Sequence, residues 1–335
     1  MPSSAVRRFT DPYDYQATIR GGNYEALVMT PGEFRAELTR IDFHRLWMQR
    51  SRTSLPHLAH ATLLKSRSYV GFLGDQQQAP LYHGGSEWPP DEMLVIPSGS
   101  EHYHRASTEL FWGSMSLPTE DFAAAGQALV GHDLASPAAA HRIQPAPDRM
   151  DRLRHWHAAA GHMAATFPDI LAHPEVARAM EDELVRAMVA CLIDGGTYEK
   201  GSRGHYRQLV MRRLERLLEA NQDKPLYLTE LCAAIGVSGR ALRSYCQEHL
   251  GMSPHRYLWL RRMNLVRRTL ALADSTATSV TAVAMDHGFG ELGRFAVSYR
   301  KLFGETPSTT LRRAPDRPTS GSEAGNPMGR FPVLP

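Results

Sequence analysis

Hydrophobic positions change their period near residue 118. Before it the apolar residues alternate or come in short runs, the two-residue repeat of strands. Ile41-Asp42-Phe43 alternates, and the runs MLVIP (93–97) and ELFWGSMSL (109–117) are bounded by Gly, Pro and Ser. With GG and PP punctuation between them, the short strands from Phe34 to Leu117 predict a β-sandwich or small barrel. Residues 1 to about 30 show little apolar periodicity and are expected to form a short arm. After 118 the repeat becomes helical. Thr119, followed by Glu120 and Asp121, reads as a helix start: a hydroxyl cap, then carboxylates that complement exposed N–H groups. Leu153, Trp156, Ala160, Met163 and Phe167 fall on one face across 149–167. Ala177, Met180, Leu184, Met188 and Cys191 do the same across 174–193, as core, dimer interface or both.

Past the Gly-rich stretch DGGTYEKGSRG (194–204), one pattern occurs twice. Leu231, Ala234 and Ile235 share a helical face that must stop at Gly236, where the chain needs a positive φ. Ser238 then caps GRALRSYCQEHL, a basic helix burying Leu242, Cys246 and Leu250, and Gly251 ends it. In the second copy SVTAVAMDHGF stops at Gly288, and ELGRFAVSYRKLFG follows, burying Phe295, Tyr299 and Leu302. Helix, glycine turn and basic amphipathic helix make a helix-turn-helix pattern, here repeated at a spacing of 52 residues. Between the copies, Ser253-Pro254 caps and opens a helix reaching about Ala271. Trp259, Met263, Val266 and Leu270 form its apolar stripe, with Arg262, Arg267 and Arg268 largely outside it. Eighteen residues span ~27 Å, a rod able to set two recognition helices near the ~34 Å repeat of adjacent major grooves.

Charge separates the same two regions. Residues 203–313 carry 18 Lys and Arg against 9 Asp and Glu; the remainder carries 20 against 26. A basic domain joined to an acidic one points to a polyanion partner for the first. At 335 residues, 42% apolar and 22% charged, the chain has the composition of about two globular domains. No apolar run reaches 18 residues, which excludes a transmembrane helix, and the first twenty residues lack the apolar stretch of a secretory signal. Three cysteines, Cys191, Cys232 and Cys246, are odd in number and not at metal-like spacing, as expected in a reducing cytoplasm.

The C-terminal region resembles the DNA-binding domain of AraC/XylS-type transcriptional regulators. The resemblance rests on L-x-x-L-C-A-x-I-G-V-S at 228–238, G-x-S-P-x-x-Y-L at 251–258, A-x-x-x-G-F at 284–289, and R-F-A-x-x-Y-R-K-L-F-G-E-T-P-S at 294–308. It covers roughly 205–313. Together with R-M-N-L-V-R-R at 262–268, the last stretch looks closest to a branch containing ethanolamine-utilisation regulators, which assigns no ligand. Tyr227 stands where the family usually has a Ser or Thr cap, and Arg294 where it often has an aromatic. M-L-V-I-P-S-G-S-E-H at 93–102 resembles the strand-joining turn of the family's cupin-like sensor, without completing its metal pattern.

Candidate chemistry follows. Arg240, Arg243, Ser244 and Gln247 share the exposed face of the first recognition helix, just after Ser238, and Arg and Gln have the donor geometry to read G and A in the major groove. At least two of these four are expected to meet bases or phosphates. Arg294, Ser298 and Lys301 share a face of the second, with Arg294 placed for bases and Lys301 for phosphate. Arg267 and Arg268 fit a phosphate contact or ordinary surface charge equally. His102 and His104, with Glu109 downstream, lack a third metal ligand at cupin spacing. His155, His157 and His162 do not converge, and His57 and His60 fit surface or structural roles. Tyr103, Phe111 and Trp112, with Phe43, Trp47, Tyr69 and Phe72, are either core or the wall of an effector pocket.

The expected fold is α+β. Residues 1–194 form a β-rich, cupin-like sensor/dimerisation domain with added helices, 195–203 a linker and 204–314 an all-α DNA-binding domain of two helix-turn-helix units. Residues 315–335 form a disordered tail. The expected function is a sequence-specific, cytoplasmic, non-enzymatic transcription regulator without cofactor or metal. Its expected partners are double-stranded operator or promoter DNA, RNA polymerase, a small-molecule effector and a second copy of the chain; no membrane is expected. The alternatives are a cupin-type metalloenzyme fused to a DNA-binding module, and a constitutive DNA-binding protein with a purely dimerising N-terminal domain.

Overall fold

The computed structural model describes residues 2–131, 134, 139–194, 196–198, 202–221 and 226–313. The tail expected over 315–335 lies outside the described residues. In chain order the first part is β1 (Ser3–Phe9), α1 (Pro12–Thr18), β2 (Gly22–Val28), β3 (Ala36–Asp42), β4 (Trp47–Thr53), β5 (His57–Leu63) and β6 (Arg67–Leu73). β7 (Leu81–His83), β8 (Ser86–Trp88), β9 (Met93–Ile96), β10 (Glu101–Ala106) and β11 (Leu110–Pro118) follow. Next come α2 (Thr119–Val130), β12 (His141–Gln144), α3 (Pro147–Thr166), α4 (Pro168–Leu171), α5 (Pro174–Asp194) and β13 (Gly196–Tyr198).

The strands form two antiparallel sheets, one ordered β1-β3-β4-β11-β6-β9-β12-β13 and one β2-β5-β10-β7-β8. The arm expected over residues 1–30 is instead β1, α1 and β2. β1 is an edge strand pairing Ser3 with Asp42 and Phe9 with Ala36, and none of its residues is fully buried, so no alternation marks it in the sequence. α2 begins at Thr119 as expected, but Pro118 is its cap and the Thr119 hydroxyl bonds nothing.

Alternation assigns each sheet two faces. Between the sheets lie Tyr24, Leu38, Ala59 and Ala61, with Tyr69, Leu94 and Leu110. The outer face of the larger sheet, with Met48, Val70, Phe72 and Met115, packs on α2, α3 and α5. The stripe Ala177, Met180, Leu184, Met188 and Cys191 is buried in this layer, and Leu153 and Ala160 join it. Phe167, expected on the same face, is half exposed because α3 has ended before it.

The C-terminal part holds seven helices among the described residues: α6 (Ser202–Glu219), α7 (Leu228–Ile235), α8 (Gly239–Leu250), α9 (Pro254–Leu272), α10 (Val280–Asp286), α11 (Leu292–Phe303) and α12 (Pro307–Arg312). Of the 195–203 span, 196–198 pair as β13 with β12, and α6 begins at Ser202. One core gathers Leu214, Leu231, Ile235, Leu242 and Cys246; a second gathers Met263, Val266, Leu270, Phe295 and Tyr299. Ala234, expected inside, is exposed; Cys232 takes its place at the core's margin. The smaller sheet's outer face enters these cores, with Leu27, Met29 and Leu58 packed against helices of the C-terminal part. The molecule is thus layered: helices, large sheet, barrel interior, small sheet, C-terminal helices.

Candidate nucleic-acid interface and sensor cavities

Each helix-turn-helix unit is built by its caps. Gly236 closes α7 at φ +79°, where a Cβ would be strained, and its N–H bonds Cys232 O at 3.0 Å. Two residues on, Ser238 Oγ accepts from Ala241 N at 3.2 Å and starts α8. Burial of Leu242, Cys246 and Leu250 then turns Arg240, Arg243, Ser244 and Gln247 outward, and all four are exposed. At Tyr227 no side-chain oxygen caps α7; the Glu230 carboxylate reaches back to Tyr227 N at 2.9 Å and complements the helix start.

The second unit repeats the plan. Ser279 Oγ accepts from Ala282 N at 3.1 Å, Gly288 turns at φ +78°, and Phe295, Tyr299 and Leu302 anchor α11. Arg294 and Lys301 are exposed, while Ser298 is half-buried. Arg294 Nε lies 3.0 Å from Glu291 Oε2, an exposed pair that holds the arginine only weakly. Val297 was missed by pattern reading. It stands 70% exposed between Arg294 and Lys301, three residues from one and four from the other, so the three share a face. Its signal was present: a β-branched apolar residue off the Phe295–Tyr299–Leu302 stripe.

α9 fixes the two units to one another. Ser253 caps it, Arg256 N donating at 3.3 Å, and Pro254 opens it. Glu215 of α6 accepts from Tyr257 Oη at 2.6 Å and from Arg261 at 3.2 Å, all three buried. Desolvation pushes the Glu215 carboxyl up, and Arg261 and Tyr257 act against that shift.

Arg267 is neither surface charge nor free for phosphate. It is buried, 2.6 Å from Asp11 of the N-terminal part and 3.3 Å from Glu305. Arg268 is exposed but reaches Glu25 at 3.8 Å. Glu101–Arg216 at 3.3 Å and His60–Glu219 at 3.1 Å extend this row along the small sheet. Burial and then Arg261 push the His60 imidazole down to about 4, so at neutral pH its contact with Glu219 is a hydrogen bond rather than an ion pair.

Two cavities lie to either side of the small sheet. One of about 240 Å³, between sheet and helices, is bordered by Glu25, His60, Glu101, Tyr103, Arg212 and Arg261 among others. The other, about 90 Å³, lies inside the barrel. The aromatics expected around a pocket are divided between surroundings. Trp112 and Tyr69 border the barrel cavity, and Tyr103 the outer one. Phe111 faces outward beneath Arg50, Phe43 packs in the helical layer, and Phe72 meets His157 edge-on. Trp47 is held between Arg20 and Arg67. His102 and His104 stack at 5.5 Å within the barrel, whereas Glu109 is exposed and paired with Arg52, so the three do not converge. His155 and His162 are exposed on α3, while His157 is buried with Nε2 3.2 Å from Gln49 O. His57 is a buried structural histidine, bonded to Leu55 O at 3.0 Å. Among the described residues no group of three His, Cys, Asp or Glu is arranged to hold a metal ion.

Two helix–glycine–helix units on a shared rod, each presenting an exposed basic second helix, define a tandem helix-turn-helix domain. Residues 231–313 match the helix-turn-helix domain family, and the domain is of the AraC/XylS type. The chain is 37% identical over 101 residues to the XylDLEGF operon transcriptional activator 1 of Pseudomonas putida, covering 30% of either protein. It is 38% identical over 108 residues to the probable thc operon regulatory protein of Rhodococcus erythropolis, covering 32% of each. The match therefore spans about a third of the length of these relatives. The crystal structure of the AraC-like transcriptional activator CuxR aligns over 79% of this chain and 95% of its own at 17% identity and a TM-score of 0.42. No described helix is long and apolar enough to cross a membrane.

Proposed function

We propose that the chain is a sequence-specific DNA-binding transcription regulator whose N-terminal part, 1–194, senses a small molecule and governs the 204–314 domain. The observation that carries this reading is the pair of exposed basic faces on α8 and α11, joined by a 19-residue rod ~28 Å long, close to the repeat of adjacent major grooves. Ser238, Arg240, Arg243, Ser244 and Gln247 would meet one major-groove segment, and Arg294, Ser298 and Lys301 the next. Val297 adds an apolar contact suited to a thymine methyl group. RNA polymerase and a second copy of the chain are the protein partners, and the cytoplasm the compartment. No reaction is catalysed: the N-terminal part acts by binding its ligand better in one arrangement than another.

The test is selection of genomic fragments by the full chain, followed by titration of the selected duplex at several salt concentrations. Binding should fall with salt at a log–log slope of about −0.9 per phosphate contacted. A folded chain that selects no sequence, and holds no duplex at ~50 mM salt, rejects the reading.

A further inference from the structure

α8 and α11 are one helix plan built twice. Each is twelve residues long, Gly239–Leu250 and Leu292–Phe303. Each ends on a left-handed glycine, Gly251 at φ +69° and Gly304 at φ +75°, whose N–H bonds the carbonyl of Gln247 or Arg300. The N-caps Ser238 and Glu291 stand 53 positions apart, and so do the two closing glycines. The buried anchors keep the same spacing: Leu242, Cys246 and Leu250 of α8 fall on Phe295, Tyr299 and Phe303 of α11. The turn glycines Gly236 and Gly288 are only 52 apart, because Val237 alone separates Gly236 from its cap while Phe289 and Gly290 separate Gly288 from its own. Matching the units by their turns would put Arg243 and Gln247 on Phe295 and Tyr299, both buried. The helices, not the turns, set the correspondence.

That correspondence moves the outward face of α11. Arg240, Arg243, Ser244 and Gln247 of α8 match Gly293, Ala296, Val297 and Arg300, and all eight are exposed. A methyl group added to Gly293 would meet nothing within 4 Å, so packing does not ask for glycine there. Arg294, Ser298 and Lys301 match Ala241, Tyr245 and Glu248 instead. Tyr245 and Glu248 lie on the flank of α8 toward α6, whose Arg207 pairs with Glu248 and stands 5.8 Å from the Tyr245 ring. Ser298 is correspondingly half-buried.

We propose that α11 reads its half of the DNA site through an almost bare front: Gly293, Ala296 and Val297 lie against the bases, Arg300 holds a phosphate, and Arg294 reaches in from the flank. The chemistry selected by the front is the thymine methyl group, because two small apolar side chains and a glycine offer a base edge no side-chain donor or acceptor. Glycine also lets the helix backbone close on the groove where a side chain would hold it off. α8 presents four polar side chains at the same places, so one half-site is read by hydrogen bonds and the other chiefly by apolar contact and fit. Arg300 stands in the last turn of α11, beyond the residues that meet base edges near the helix start, which gives it the backbone. The proposal rests on the regulator reading; comparison of variants with the wild type lets the two fail separately.

The full chain and its variants each select sites from a randomised duplex library. The wild type should return two half-sites about 10 bp apart. Gly293→Arg, Ala296→Arg and Val297→Ser together give α11 the residues that α8 carries at the same places. This triple variant should return a second half-site repeating the bases of the first, as a direct or inverted copy, and bind the original site ~10-fold more weakly. Its Tm should match the wild type, since all three positions are exposed. If it fails to fold, Ala296→Arg alone should change one base of the second half-site to guanine. Arg300→Ala should reduce the salt slope by about one phosphate and leave the selected sequence unaltered. A folded triple variant that returns the wild-type second half-site overturns the correspondence, as does a second half-site that changes in Ser298→Ala instead. An unchanged salt slope in Arg300→Ala overturns the phosphate contact. A wild-type chain that selects no site rejects the regulator reading, and this proposal falls with it.

Discussion

Arg267 Nη2 lies 2.6 Å from Asp11 Oδ2, so the rod between the two helix-turn-helix units is gripped by the residue that caps α1. Asp11 uses its other oxygen for that cap, accepting from Tyr13 N at 2.7 Å. The guanidinium also reaches Glu305, and Arg313 completes the group, 2.6 Å from Glu305. Arg267→Leu should destabilise the chain by about 3 kcal/mol, because two shielded carboxylates are left with Arg313 alone. Asp11→Asn leaves Arg267 with Glu305 and should cost less. Urea unfolding of both variants checks the order, and a larger loss for Asp11→Asn contradicts it.

Arg240→Ala and Arg294→Ala should each weaken specific DNA binding by about 1–3 kcal/mol and relax base preference at separate positions about 10 bp apart. The measurement is a binding titration against every single-base variant of the selected site. Uniform weakening across the variants assigns these arginines to phosphates instead.

Val297 should read a methyl group. Replacing the thymine at its position by uracil removes only that methyl and should lower affinity roughly fourfold, equivalent to about 0.8 kcal/mol. Val297→Ser should bind the thymine and uracil duplexes equally. If uracil is tolerated at every thymine of the site, Val297 makes no such contact.

Acid should loosen the N-terminal part. Burial, with Arg50 adding to it, pushes His157 down to about 3; burial with the His60 imidazole lowers His102 to about 4, and burial with neighbouring imidazoles holds His104 well below the ordinary histidine value. The unfolded chain takes up protons below pH ~6.5 while the folded one does not, so stability is full above that value and falls as pH drops toward 4. Tm measured from pH 7.5 to 4 should decline over this window. His157→Leu faces Phe72 and the Gln49 carbonyl with no titrating group and should flatten the decline. An unchanged slope in that variant removes His157 from the cause.

The helix-turn-helix units were legible because glycine and serine encode their turns locally. Gly236 and Gly288 take positive φ, and Ser238, Ser253 and Ser279 cap as their positions require. The strands from β3 to β11 were legible as a class, through short apolar runs between turns. β1 was not, because an edge strand bearing Arg7 and Arg8 buries too little to alternate. Arg267 was misread because its partner lies 256 residues away, and no local pattern separates a surface arginine from one ion-paired across domains. Val297 escaped for the opposite reason: apolar residues are read as core, and its exposure follows only from where Phe295 and Tyr299 point. The two-sided character of β10 was half visible in His102-x-His104; that the alternate residues face helices required the docked structure.

The outer face of the small sheet bears on chimeras. Leu27, Met29 and Leu58 are sheltered by α6, α8 and α9, and Leu58 is counted within the core of the first helix-turn-helix unit. A fusion that keeps residues 1–194 and attaches a foreign reader domain would leave these side chains bare unless the newcomer brings matching apolar helices. Because β2, β5 and β10 alternate along the chain with strands of the large sheet, the reader travels intact only with the whole two-sheet part, and hybrids cut at the linker should be judged first by solubility.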